Sequence, residues 1–255
     1  MKAPSYRPVV AMAGLTACSG CQLTFLNCET ELPELTRSFA ISYFPLAVTA
    51  HAASGPIDIS FIEGAVSTPD DLELLLKIRS MSRFLVAFGT CALWGGVAAM
   101  NNHESRKSMV EAVYGKTAGG MKTFNPQPFA NFVKVDFAIT GCPPEKSELL
   151  ATLAAFLKGS FPVFPRYPVC TECRNRENRC LLIEDNEICL GPLIQAGCNA
   201  RCPAVGIICE GCRGPVTEAN VAAELELLLE KGFTREEIER RMRRFYPEWD
   251  YEQRS

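Results

Sequence analysis

Residues 84–91 read Phe84-Leu85-Val86-Ala87-Phe88-Gly89-Thr90-Cys91, an apolar run that stops at a glycine and delivers a cysteine. A run this short, bounded by glycine, reads as a buried strand. The same grammar recurs three times. Val9 to Leu15 runs into Cys18-Ser19-Gly20-Cys21, Ile57 to Ile62 alternates apolar and polar residues up to Glu63-Gly64, and Val133 to Thr140 ends at Gly141-Cys142-Pro143-Pro144. Between them lie helical or connecting segments. Thr68 is a good N-cap, Pro69 sits where a missing N–H is harmless, and Asp71 favours the helix dipole. Leu72, Leu75, Leu76 and Arg79 follow at helical spacing, the leucines forming the expected buried stripe. Strands alternating with such segments predict an α/β domain with a doubly wound parallel sheet. In that architecture the loops at the carboxyl ends of the strands converge on one crevice.

Cys18, Cys21, Cys91 and Cys142 would meet in that crevice, with Glu63 facing it. Four converging thiolates suit a tetrahedral zinc or a four-iron cluster, and spacing leaves both open. Taken singly, Cys91 and Cys142 also read as small buried hydrophobes. Their shared place, just beyond a strand-ending glycine, argues for ligation. Glu63 is either a loop hydrogen-bond acceptor or a residue beside the metal. Cys28, seven residues beyond Cys21, reads as a buried spare thiol. His51 and His103 are the only histidines and have no partner spacing that implies ligation, which excludes chemistry built on several imidazoles.

The 255-residue chain carries 13 cysteines, and eight of them fall between Cys170 and Cys212. Pro162, Pro165 and Pro168 precede that segment, so an extended connector is expected near residue 165. This divides the chain into 1–164, 165–215 and a tail, 216–255. The dense segment places Cys170, Cys173, Cys180, Cys189, Cys198, Cys202, Cys209 and Cys212 among glycines and prolines that permit tight turns around metal-bound sulfur. Eight ligands divide into two sets of four. So short a segment buries little apolar area, and bound metal would supply its organising free energy. Iron–sulfur clusters, zinc sites and disulfides are the three readings of the spacing, in that order of preference.

These motifs together resemble one family. Cys18-Ser19-Gly20-Cys21, Phe61-Ile62-Glu63-Gly64-Ala65-Val66-Ser67-Thr68, Gly89-Thr90-Cys91-Ala92, Gly141-Cys142-Pro143-Pro144 and Cys189-Leu190-Gly191-Pro192 look like the small subunit of nickel–iron hydrogenases. Tyr167 to Gly214 most resembles the delta-type subunit of cytoplasmic, sulfhydrogenase-type enzymes. The resemblance implies a flavodoxin-like domain followed by a small cysteine-rich iron–sulfur domain and a helical tail. It implies three [4Fe-4S] clusters: proximal on Cys18, Cys21, Cys91 and Cys142, distal on Cys170, Cys173, Cys180 and Cys189, and medial on Cys198, Cys202, Cys209 and Cys212. Cys170 stands where many relatives have a distal histidine, and Cys202 adds a fourth medial ligand that exported relatives often lack. Exchange of Cys189, Cys198 and Cys202 between the two sets stays open. The implied partners are a large subunit that splits hydrogen at a nickel–iron centre and a flavin or iron–sulfur subunit that reduces a soluble carrier such as NAD(P). Two rivals stand beside this reading. The cluster-bearing small subunit of complex I shares the N-terminal fold but has adjacent cysteines where Cys18 and Cys21 are two residues apart, and a zinc-stabilised binding module needs no redox role.

The remaining features are quieter. Val221, Ala222, Leu225, Leu227, Leu228 and Leu229 within Thr217 to Glu230 have helical spacing, and Thr234-Arg235-Glu236-Glu237 is a capping box for a second helix. Arg240, Arg241, Arg243 and Arg244 form a basic face, read as solvated surface or as an interface with a partner subunit. A net charge of -3 gives no footprint for nucleic acid. The uncharged run from Pro8 to Cys28 has the outline of a secretion leader, but Gly14, Ser19, Gly20 and Cys21 make it a poor apolar helix, and glycines likewise interrupt Phe84 to Asn102. The expectation is a cytoplasmic chain with no membrane span. No G-x-G-x-x-G loop offers the chain a dinucleotide site of its own.

Overall fold

The computed structural model describes residues 6–49, 55–115 and 122–249. Two compact units divide the chain, Met1–Pro162 and Val163–Ser255, and the break falls inside the proline-rich connector.

The first unit is a five-stranded parallel sheet. Its strands are β1 (Val9–Gly14), β2 (Ala40–Tyr43), β3 (Ile57–Glu63), β4 (Ser82–Phe88) and β5 (Phe137–Ile139), in the order β2-β1-β3-β4-β5. That is the flavodoxin-like order, with its switch point between β1 and β3. β3 is buried along nearly its whole length, as a central strand with both faces covered must be. The parallel register sets Gly14 opposite Glu63, Ile62 opposite Ala87 and Phe88 opposite Ile139. The strands therefore end level, and their loops share one edge.

Helices α1 (Gly20–Leu26), α2 (Leu32–Ser38), α3 (Pro69–Met81), α4 (Thr90–Trp94), α5 (Gly96–Ala99), α6 (Arg106–Tyr114) and α7 (Lys146–Leu157) complete the unit. α3 starts as the sequence requires, and with more than a dipole: Asp71 N–H donates to Thr68 Oγ1, and the Asp71 carboxylate accepts from the Thr68 N–H, a full capping box. Its buried stripe is Leu75 and Ile78, with Leu72 partly buried beside them. Leu76 is 48% exposed, contrary to the expected leucine stripe, because Ile78 lies on the same face as Leu75 and takes the inner position.

β2 was not anticipated, and β5 is shorter than the run from Val133 to Thr140. Both are edge strands, and neither has the long apolar run that marks β3 and β4.

The second unit holds α8 (Val169–Asn175), α9 (Val221–Glu230) and α10 (Arg235–Met242). Helix α9 begins four residues later than the periodicity suggested, where Asn220 caps it by accepting from Ala223 N–H. Thr234 and Glu237 form the expected capping box on α10. Residues on both sides of the expected 215/216 boundary pack together. Leu182, Leu190, Leu193 and Ile194 share one core with Val221, Leu225, Leu228, Ile238, Met242 and Trp249. The tail thus supplies apolar area that the cysteine-rich segment lacks. Among the described residues no helix is long and apolar enough to cross a membrane.

Candidate functional site

The carboxyl edge of the sheet gathers the first cysteine set. β1 leads through Cys18 into α1, whose first turn carries Cys21; β4 leads to Cys91 in the first turn of α4; β5 leads to Cys142. Backbone bonds lock these loops together: Leu15 N–H donates to Glu63 O, Gly89 N–H to Ile139 O and Thr90 N–H to Gly141 O, at 3.0, 2.8 and 3.0 Å.

Gly89 has φ +94°, and a Cβ there would collide with the Cys21 sulfur. A Cβ on Gly96, at φ +52°, would stand 2.8 Å from the Cys91 sulfur. These glycines let the backbone pass close against the two sulfurs, where any side chain would collide.

Glu63 closes the floor of the site. It is 1% exposed, its Oε2 accepts from Cys21 N–H at 3.0 Å and its Oε1 accepts from Gln22 Nε2 at 2.6 Å. Burial, then the Glu63 carboxylate, push the Cys21 thiol well up, and the charges of Cys91 and Cys142 add to this. Burial also pushes Cys91 up, while the Ala98 and Val97 N–H groups pull it down and Cys18 raises it. Cys91 and Cys142 thus act on Cys21, and Cys18 acts on Cys91.

The second unit holds eight further cysteines, and electrostatic influence links seven of them, Cys202 excepted. Cys170 and Cys173 lie on successive turns of α8. Burial, then the charges of Cys189, Cys173 and Cys180, push Cys170 up to about 12. A Cβ on Gly191 would meet the Cys170 sulfur at 3.0 Å and the Cys189 sulfur at 3.8 Å. Asn178 Nδ2 lies 3.6 Å from Cys173 Sγ, and Cys180 N–H donates to Glu184 Oε1 at 2.9 Å.

Cys209 N–H donates to Cys189 Sγ at 3.3 Å, so the two expected sets adjoin. Burial raises Cys209 strongly, the Gly211 N–H opposes it, and the charges of Cys189, Cys212 and Cys198 add to the rise. Cys198 is raised by burial and lowered by the Ala200 N–H and by Arg213. Cys202 precedes a 3₁₀ turn at Pro203–Val205 and is half-buried.

Thiols that burial holds protonated are poor free nucleophiles and good ligands for a cationic metal centre, which deprotonates them on binding. Among the described residues no three His, Cys, Asp or Glu are gathered to hold a single metal ion. A zinc would draw its sulfurs to about 2.3 Å from one point. An iron–sulfur cluster instead spreads its thiolates over several irons, and cysteine-only sets are donors that it takes.

Cys28 lies apart from these sets, fully buried, its Sγ donating to Thr24 O at 3.4 Å. His103 Nε2 stands 3.8 Å from Glu104 Oε1 at the surface, and His51 lies outside the described residues.

Sequence reasoning missed Arg213, which is 2% exposed. A charged residue next to a cysteine ordinarily reads as solvated. The only signal was its confinement between Cys212 and Gly214-Pro215.

This fold and these cysteine-bearing loops define an iron–sulfur oxidoreductase subunit, and the chain belongs to the family of the NADH ubiquinone oxidoreductase 20 Kd subunit, whose model matches residues 18–156. Within it the chain is a small, delta-type subunit of the nickel–iron hydrogenase kind. It is 41% identical over 231 residues to sulfhydrogenase 2 subunit delta of Pyrococcus furiosus, a match covering 91% of this chain and 96% of that protein. It is 31% identical to NAD-reducing hydrogenase HoxS subunit delta of Cupriavidus necator, over 59% of this chain and 78% of that one. A chain of an NAD+-reducing [NiFe]-hydrogenase in the H2-reduced state superposes with TM-score 0.55 at 28% identity, over 63% of this chain and 96% of that chain. These relatives are subunits of oxidoreductase assemblies.

Proposed function

We propose that this chain is the electron-transfer subunit of a cytoplasmic [NiFe] hydrogenase, carrying three [4Fe-4S] clusters between the nickel–iron site of a large subunit and a flavin or iron–sulfur subunit that serves a soluble carrier of the NAD(P) type. The convergence of Cys18, Cys21, Cys91 and Cys142 at the carboxyl edge of the sheet carries the reading. These four would hold the proximal cluster. Cys170, Cys173, Cys180 and Cys189 would hold the distal one, a division supported by their mutual electrostatic influence. Cys198, Cys202, Cys209 and Cys212 would hold the medial one. When bound, such clusters supply one-electron carriers whose potentials follow charge, solvent exposure and N–H to sulfur bonds.

The chain's own residues do three things in this scheme. The thiolates would hold the three clusters. Glycines 89, 96 and 191 let backbone approach the sulfurs, and N–H groups such as those of Val97, Ala98 and Cys209 point at them. Glu63 anchors the first turn of α1, and hence Cys21, to the end of β3. Hydrogen itself is split on the partner, since this chain has no further C-x-x-C pair for a nickel site.

The test is a single substitution at Cys91 or Cys142 in the assembled hydrogenase. Hydrogen-dependent dye reduction is abolished and the complex loses about four iron, one four-iron cluster. Full activity with unchanged iron would overturn the proximal assignment.

A further inference from the structure

Arg213 is the largest of the fully buried side chains. It follows Cys212 in a loop between Gly211 (φ +89°) and Gly214 (φ +71°), left-handed positions that turn it inward. Its Nε donates to Gln195 O at 3.2 Å and to Ala196 O at 3.0 Å, the carbonyls just upstream of Cys198. Gln195 N–H in turn donates to Gly214 O at 3.1 Å. The guanidinium is therefore fixed between the segments that bear Cys198 and Cys212. A guanidinium keeps its charge wherever it is placed, and burying it is costly.

A carboxylate opposes it. Glu172, between Cys170 and Cys173, accepts from Gly197 N–H through Oε1 at 2.9 Å and from Ala200 N–H through Oε2 at 3.2 Å. It thus reaches the same Cys198 loop from the other cysteine set. Arg213 lowers the Cys198 thiol and Glu172 raises it, so both charges act on one sulfur with opposite sign.

We propose that Arg213 sets the potential of the cluster on Cys198, Cys202, Cys209 and Cys212, its buried positive charge favouring the reduced form, with Glu172 as the counterweight. The inference rests on the iron–sulfur reading above. One-electron reduction adds one negative charge to a cluster and moves no proton, and a fixed cation in low dielectric stabilises that charge. Arg213 is a positioning residue as well, since it ties the Gln195–Ala196 backbone to the Cys212 loop. The two roles separate by substitution. Lysine keeps the charge and loses the fork; methionine keeps bulk and loses both.

The experiment is an EPR-monitored redox titration of the anaerobically purified hydrogenase complex, with iron and acid-labile sulfide measured on the same samples. The signal to follow is the one removed by Cys212→Ser. Arg213→Met, with full iron, lowers the midpoint so that the reduced-to-oxidised ratio at the wild-type midpoint falls at least about tenfold, which is about 59 mV for one electron. Arg213→Lys stays near wild type, and Glu172→Gln moves the midpoint the other way. Equal shifts in the lysine and methionine variants, or an unshifted midpoint in Arg213→Met with full iron, would overturn the proposal while leaving the clusters in place. If Arg213→Met loses iron, Glu172→Gln decides: an upward shift supports the charge balance and no shift overturns it. Wild-type complex without iron and sulfide in this chain overturns the underlying reading instead.

Discussion

The backbone N–H of Cys21 donates to the buried carboxylate of Glu63 at 3.0 Å, across 42 positions of sequence. This bond joins the end of β3 to the first turn of α1, and the second oxygen of Glu63 holds Gln22. Glu63→Ala strips both acceptors and orphans two buried donors, at about 1–3 kcal/mol for an unmet donor. Thermal unfolding should show the midpoint of Glu63→Ala falling by several degrees. Glu63→Gln, which still accepts through one oxygen, should fall less. Equal midpoints in the two variants would show that the bond does not carry this junction.

Gly89 tests the room beside Cys21. Alanine there meets the Cys21 sulfur and adopts φ +94°, so Gly89→Ala should lose the iron of one cluster, about four atoms of about twelve. Gly159→Ala is the control: its φ is +76° with nothing within 4 Å of the added Cβ. It should cost only about 1 kcal/mol of backbone strain and keep its iron, both read by metal analysis and melting.

Glu224 gives the second unit a pH dependence. It is buried in the first turn of α9, its Oε1 has no hydrogen-bond partner, and burial pushes its carboxyl up to about 7 from 4.5. Between those values the folded chain holds a proton that the unfolded chain has released. Stability therefore falls as pH rises through that window, and the penalty is complete above it, at roughly 3 kcal/mol. Asp136, whose carboxyl is lowered through Arg79 against the cost of burial, is ionised in both states above pH 5.5 and adds no slope there. Melting from pH 5.5 to 8 should show a falling midpoint in wild type and a flatter profile in Glu224→Gln. The same slope in both would contradict the assignment.

Glu210 ties the last helix to the loop between Cys209 and Cys212. Its two oxygens meet Arg241 Nη1 at 2.8 Å and Arg244 Nη1 at 2.6 Å. The groups are partly exposed, so the network contributes about 1 kcal/mol. Glu210→Ala should speed amide hydrogen exchange in Arg235–Met242, and moderate salt should produce part of the same effect in wild type. Unchanged exchange would mean that Ile238 and Met242 alone hold the helix.

What the sequence disclosed and what it hid follow from the range of the interactions. The strands that end in Gly64, Gly89 and Gly141 were legible because apolar runs and glycines are local signals. So were the caps at Thr68 and Thr234. Edge strand β2 was not, because Ala40–Tyr43 is short and only half-buried. Leu76 misled because spacing alone does not say which of two adjacent leucines faces inward. The partner of Glu63, the burial of Arg213 and the core shared by Leu190 with Leu228 are tertiary facts. Cysteine position pointed to one converging set of four and to a segment of eight, and the family resemblance implied how the eight divide, whereas the charges that act on them depend on chain segments far apart in sequence.

The most direct test of the central claim is iron, acid-labile sulfide and zinc content of the anaerobically purified chain, with an EPR spectrum after reduction. The account predicts about twelve iron and twelve sulfide per chain, from three four-iron clusters, and signals of reduced clusters. About three zinc, no sulfide and no EPR signal would contradict it and make this chain a structural or binding protein.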